Sequence, residues 1–463
     1  MQLAKSIMLK NLRVPAPVFF TAIFIFISIV STAQDNSPYS RYGLGDIVPL
    51  TNITTRGMGG ISAGYADILS VNFTNPASYS RFQATQELRS KRLASGRVIF
   101  DVGVNINSRT LIEPNTTNRF TSSDALFSYM QVGIPLRKNW GLSFGLRPLS
   151  RISYKINRNE FLLDPITQDS IGNATTQFRG SGGSYLPSIG TGFGINLSQK
   201  TMISAGFNLG YLFGRRENQT LRNFNNDSVL FYSSEHNTSS HFGDLYMNGG
   251  LQFETRISNS VVLRLGASGN LKQTLDASQD RLRRTIVTGA AGEILQLDSV
   301  EQLTEVPGSV VYPASYKFGF VIQSSKTDRG WLIGADYTQD KWSEYKFFNQ
   351  VDSVQDSWMI NVGGQFYPRE RNSYFSKLVY RFGFNIGKDY IKVQNDLPVF
   401  GATFGLGIPI RVSRNSPYQL SRVNVAFEYG KRGNNDNLLK ENLFRASVGF
   451  NLTDLWFIKR KYD

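Results

Sequence analysis

The sequence predicts an all-β protein: a fourteen-stranded antiparallel transmembrane barrel of the outer membrane, with an N-terminal hatch or plug in its lumen. Three observations predict it. Extended segments alternate strictly between apolar and polar residues, fourteen such segments can be counted, and the stretches joining them are short and long by turns. In residues 378–387, Leu378, Tyr380, Phe382, Phe384 and Ile386 share one face, while Val379, Arg381, Gly383, Asn385 and Gly387 share the other. Residues 444–451, 261–271 and 422–430 repeat this period. Side chains alternate faces along a strand, so each segment has one greasy side and one polar side. A soluble sandwich would give the same local pattern, and the connections separate the two cases.

The chain opens with a leader. Lys5, Lys10 and Arg13 precede an apolar run from Val18 to Val30, and Ser31, Thr32 and Ala33 put small residues at a cleavage position. Residues 1–33 read as a cleaved signal peptide, because the run is shorter than the ~20 residues of a spanning helix. No Cys stands near the cut, so no lipid anchor is expected. The whole chain lacks Cys and has two His, which leaves no expected metal or cofactor. Net charge is +15, and removing the three leader cations leaves +12. The Lys and Arg are spread one per segment rather than clustered, which argues against nucleic acid. A wet lumen, or the phosphates of outer-membrane lipid, accounts for them better.

Residues 34–96 lack strand alternation and read as a periplasmic extension or as a plug folded into the lumen, and the small residues Gly57, Gly59, Gly60, Gly64, Ala63, Ala66 and Ala77 suit a compact hatch. The barrel strands are read at 97–107, 124–135, 140–157, 184–198, 201–214, 242–256, 260–274, 311–325, 331–347, 355–369, 377–393, 398–413, 420–433 and 440–453. Turns at 137–139, 198–200, 257–259 and 326–329 are short, while 108–123, 158–183, 215–241 and 275–310 are long. The third of these, polar and Asn/Ser-rich, reads as a solvated loop, and the last as a loop carrying a short hairpin or helix of its own. Short periplasmic turns, long outer loops and an even strand count are the organisation of an outer-membrane barrel. Trp140, Trp331, Trp342, Trp358 and Trp456 fall at or near strand ends, where amphipathic rings meet the bilayer interfaces.

The stretch "GMGGISAGYADILSVNFTNPASYS", residues 57–80, resembles the hatch signature of the long-chain fatty acid transporter (FadL) family. It matches at Gly57, Gly59, Gly60, Ala63, Gly64, Asn75, Pro76 and Ala77. The flanking "SPYSRYGLGD" and the ending "LTDLWFIKRKYD" resemble Bacteroidota members of this broad group, from Gram-negative cells. The resemblance implies a fourteen-stranded barrel with an N-terminal hatch and a fatty-acid-like hydrophobic ligand held above it. It also implies a sideways exit where the third strand is kinked. Pro148 lies in the middle of that strand, and proline cannot donate to the ladder, so it marks the candidate lateral gate.

The inward faces carry Arg264, Arg381, Arg445, Asn270, Asn385, Asn424 and Glu428, with no continuous apolar pocket among them. This charged lumen motivates the alternative, a non-transporting subunit of an outer-membrane secretion or assembly complex with protein partners. No enzyme is expected. His241, Asp244, Ser239 and Ser240 cluster near an outer strand end, but no nucleophile motif frames them.

Overall fold

The computed structural model describes residues 37–87, 93–163, 166, 170–225, 232–288, 294–325, 330–369, 373–410 and 420–457. The expected leader and the turn at 326–329 lie outside the described residues.

Fourteen antiparallel strands close into a barrel. In chain order they are β1 (Leu93–Ile112), β2 (Arg119–Arg137), β3 (Trp140–Leu163), β4 (Ser170–Asn196), β5 (Thr201–Asn225), β6 (Ser233–Ser258) and β7 (Val261–Asn270). The ring continues with β8 (Ser315–Ser324), β9 (Gly330–Asp340), β10 (Ser357–Tyr367), β11 (Val379–Val393), β12 (Asn395–Pro409), β13 (Arg422–Arg432) and β14 (Lys440–Trp456). β14 pairs with β1 from Lys440↔Ile112 to Trp456↔Gly96, which closes the ring.

The alternation sorts each strand as expected. On β11, Phe382 is 55% exposed and Arg381 is 1% exposed. The apolar side faces outward because lipid, not water, surrounds the wall. Exposed aromatics mark two levels. Trp140, Trp331, Phe366 and Trp456 lie at the end of the short turns, and Tyr185, Tyr211, Phe213, Tyr337 and Tyr429 lie at the other.

The strands run further than the sequence pattern indicates. β3 to β6 are 24, 27, 25 and 26 residues long, whereas about 9–11 tilted residues cross a bilayer. Most of 158–183 and 215–241, expected as loops, is therefore strand that rises above the membrane. Both faces of that wall are wet, so the apolar period disappears while cross-strand hydrogen bonding continues. In the stretch expected as a loop, Gln273–Thr288 and Ile294–Tyr312 pair as two long antiparallel strands stacked above β7 and β8. The break beneath them is pinned by Asn270, whose amide donates to the Pro313 carbonyl at 2.8 Å and accepts from the Tyr246 hydroxyl at 3.2 Å.

β9 ends at Asp340, short of the expected 347. The chain then turns inward through a 3-10 turn, Trp342–Glu344, and Trp342 is buried in the lumen with its ring 4.2 Å from that of Tyr390. Trp342 is thus not an interface residue. It belongs to a continuous apolar cluster with Tyr39, Leu149, Tyr246, Tyr312 and Tyr345. The expectation of a lumen without an apolar pocket is corrected here: its residues come from the outer strand ends and an inturned loop, which barrel periodicity does not reveal.

Candidate functional site

Residues 37–87 reach strands around the ring, and the glycines of the signature mark the closest approaches. Gly59 sits at φ +69°, and a Cβ there would lie 2.8 Å from the Val362 carbonyl and 2.9 Å from that of Phe384. Its N–H donates to Thr403 Oγ1 at 2.9 Å. Gly60 also has positive φ, +89°, which favours glycine. Gly57 abuts Gly405 on β12, and Gly64 abuts the Arg264 carbonyl on β7. Inward glycines of the wall complete these contacts: Gly383 and Gly363 face Met58 and Gly59, and Gly192 and Gly206 face Pro76.

Asn75 explains the Asn-Pro-Ala triplet. Its side-chain oxygen caps the 3-10 turn Pro76–Arg81 by accepting from the Ala77 N–H at 3.1 Å. Its amide donates to the Ala63 carbonyl at 2.7 Å and to the Leu251 and Ala267 carbonyls at 3.3 Å. Pro76 occupies the first turn, where its missing N–H costs nothing. One asparagine thus ties the two halves of the signature to β6 and β7.

Polar side chains fix the segment at several levels. Asp336 on β9 accepts from the Ser62 and Ala63 N–H groups at 2.6 and 2.9 Å. Arg81 pairs with Glu254, which also accepts from Arg264 Nε at 2.8 Å. Arg56 donates to the Thr51 carbonyl at 2.8 Å and to Ser447 and Ser128 at 3.2 Å. Burial, with nearby Arg445, lowers the Arg56 pKa to about 10, so it stays cationic at neutral pH. Burial pushes the Tyr79 hydroxyl up to about 12, and it donates to Asn208 at 3.0 Å. Near the outer end, Asp46 meets Arg109 at 3.0 Å and Arg432 at 3.1 Å. Glu441 meets the same two arginines at 2.7 and 3.3 Å, and Asp389 meets Arg432 at 2.9 Å.

The wall parts at β3. The β2–β3 ladder runs from Arg137↔Trp140 to Met130↔Leu146 and stops. Above it β2 stays with β1 up to Arg119↔Ile112, while β3 stays with β4 up to Leu163↔Ser170. Pro148 is two residues past the last rung, at a register shift between Pro148 and Ser150. The uncovered edge of β3 is taken by the N-terminal segment: Asp46 and Ile47 pair with Arg151 and Ser150, and the Val48 N–H donates to the Leu149 carbonyl at 2.9 Å. Behind this short strand lies a cavity of about 180 Å³ lined by Leu44, Ile47, Leu149, Tyr246 and Trp342, with Arg147 and Asp340. A second cavity of about 380 Å³ fills the wedge where β2 and β3 diverge.

The sequence reading singled out Pro148 and the signature residues, and the structure places them apart: Pro148 on the wall, the signature below the cavity. It missed Asp46 and Asp336. Glycines at inward strand positions carried a usable signal, since glycine inside a strand marks close backbone approach. Ser240 is buried inward on β6 while His241 is exposed outward, so alternation keeps them from acting together. Among the described residues no group of three or more His, Asp or Glu is placed to hold a metal.

Comparison with known proteins bears on this arrangement. The BamG family model matches residues 8–463. A Pseudomonas aeruginosa FadL homologue superposes with a TM-score of 0.50 at 12% identity, covering 90% of this chain and 100% of its own. The Pseudomonas putida toluene transporter TodX superposes with a TM-score of 0.50 at 15% identity, covering 89% of this chain and 98% of its own. At such identities the likeness speaks for the fold, an outer-membrane β-barrel. No curated protein matches the chain.

Proposed function

The chain belongs to the BamG family, and from that premise and its geometry we propose that it is an outer-membrane barrel passing small hydrophobic molecules sideways through the parted β2–β3 seam. In this reading residues 37–87 act as the hatch, and Pro148, two residues past the last β2–β3 rung, marks the gate. The observation that carries it is the join between cavity and seam. Ile47 and Leu149 line the 180 Å³ cavity, Ile47 pairs with Ser150 on the free β3 edge, and Leu149 accepts from the N–H of Val48, the residue after Ile47. A molecule in that cavity is separated from the seam by one two-residue strand. The apolar part of the lining, Leu44, Ile47, Leu149 and Trp342, suits a hydrophobic cargo, and the structurally similar toluene transporter takes one.

The test uses the absence of native cysteine. An I47C/S150C disulfide would pin the covering strand to the β3 edge. Uptake of radiolabelled toluene and palmitate into proteoliposomes is expected to fall at least tenfold when oxidised and to recover on reduction. Unchanged uptake in the oxidised protein would remove the seam from the route.

A second reading is favoured by the polar contacts that hold the segment at several levels, from Glu254 through Asp336 to Asp46. Here the barrel is a fixed, non-transporting subunit of an outer-membrane secretion or assembly complex. It requires no uptake of either probe by the unmodified protein, together with stoichiometric protein partners that persist through purification in mild detergent.

A further inference from the structure

Four charged side chains line the 180 Å³ cavity: Arg147, Asp340, Lys388 and Asp389. Two of them are already paired. Asp389 meets Arg432 at 2.9 Å, and Lys388 meets Asp396 at 3.7 Å. Arg147 and Asp340 are different. Arg147 is 5% exposed. Its guanidinium lies over the ring of Phe73, 4.9 Å from the centroid, and makes no hydrogen bond or ion pair among the described residues. An aromatic face replaces only part of what water gives a guanidinium, and a buried cation without a carboxylate is costly.

Asp340 ends β9, six strands around the ring from Arg147 on β3. It shares a rung with Ser315 on β8 and Ser357 on β10. Both hydroxyls donate to its carboxylate, at 2.5 and 3.0 Å. No cation comes within ion-pair distance of it among the described residues. A carboxylate has about four acceptor sites, so two hydroxyls leave room for a charged donor. The cavity thus presents an unpaired cation on one wall and an unpaired anion on the other, with Leu44, Ile47 and Leu149 beside the seam. A few placed polar groups in an apolar pocket fix which ligand it takes and how that ligand lies.

We propose that this cavity binds an amphiphile whose polar end carries both a carboxylate and an ammonium group, an N-acylated diamino acid being the simplest form. The acid meets Arg147, the ammonium meets Asp340, and the acyl chain lies against Leu149 and Ile47. A neutral hydrocarbon leaves both protein charges without partners, and a plain fatty acid satisfies Arg147 alone. The assignment rests on the reading of this cavity as the cargo site, and binding is measured without transport so that the two can fail separately.

The experiment is isothermal titration calorimetry of the full chain in nanodiscs, with the heat of empty nanodiscs subtracted. Three probes share one acyl chain: Nα-octanoyl-lysine, Nα-octanoyl-norleucine, which lacks the ammonium, and Nα-octanoyl-lysine amide, which lacks the acid. Nα-octanoyl-lysine is expected to bind about tenfold more tightly than either, the effect of one hydrogen bond to a charged group. D340N should lose the advantage over the norleucine probe while binding that probe as before. R147M should lose the advantage over the amide while binding the amide as before. The retained affinity in each variant shows that its cavity is intact. Nα-octanoyl-lysine binding no more tightly than either control overturns the proposal, as does an advantage that survives both substitutions. Tight binding of Nα-octanoyl-lysine by a protein that takes up neither toluene nor palmitate would keep the ligand class and remove the route.

Discussion

Replacing Gly59 by valine is expected to unseat the N-terminal segment. Gly59 has φ +69°, and its missing Cβ faces two wall carbonyls at under 3 Å. A β-branched side chain adds backbone strain of about 1–2 kcal/mol at that φ. It also overlaps β10 and β11, whose backbones cannot retreat without losing ladder bonds. Overpacking of a tight site adds about 1–3 kcal/mol. The combined loss, on the order of 2–5 kcal/mol, should fall on the segment rather than on the ring, because the ladder does not depend on it. Limited proteolysis of reconstituted protein checks this: G59V should be cut within residues 57–80 under conditions that spare the unmodified chain, with barrel gel mobility retained. Gly60, where a Cβ would meet nothing within 4 Å, serves as the comparison. G60A should suffer only the strain.

Replacing Arg432 by methionine should have a comparable effect at the outer end. Arg432 is the shared partner of Asp46, Asp389 and Glu441. Its loss leaves Arg109 to serve Asp46 and Glu441, and leaves Asp389 without its cation. Breaking a buried pair by removing one partner costs about 3–5 kcal/mol, because the remaining charge is poorly solvated. R432M should therefore free residues 37–48 from the β3 edge, measured as faster amide exchange at Asp46 to Val48. D46N should be milder, since Arg432 keeps two carboxylates. Equal protection in R432M and the unmodified protein would show that strand pairing alone holds this segment.

Most of the barrel was legible because lipid imposes a period of two on every strand that crosses it. Phe382, Phe384 and Ile386 against Arg381 and Gly383 gave both the strand and its faces. That signal stops where lipid stops. Arg215 to Arg222 and Ser234 to His241 pair as strands, yet they read as loop because water bathes both sides. Trp342 misled for a related reason: near a strand end it looked like an interface anchor, but a three-residue turn carries it inward. The signature glycines were legible as close approaches, although their partners on the wall were not. Asp46 gave no local sign at all. Its role depends on Arg109 and Arg432, far away in sequence, and on a strand edge that exists only because β2 and β3 separate.

The central claim is that residues 57–80 sit inside the ring against the inward faces of its strands. Ser80 and Ser204 test it directly, since their hydroxyl oxygens are 2.9 Å apart and one belongs to the segment, the other to β5. S80C/S204C replaces each hydroxyl by a thiol of similar reach. In outer-membrane preparations under mild oxidant, most of the protein should form a disulfide between positions 80 and 204, identified by peptide mass spectrometry. Free thiols at both positions, freely labelled by a water-soluble maleimide in the folded barrel, would contradict the account.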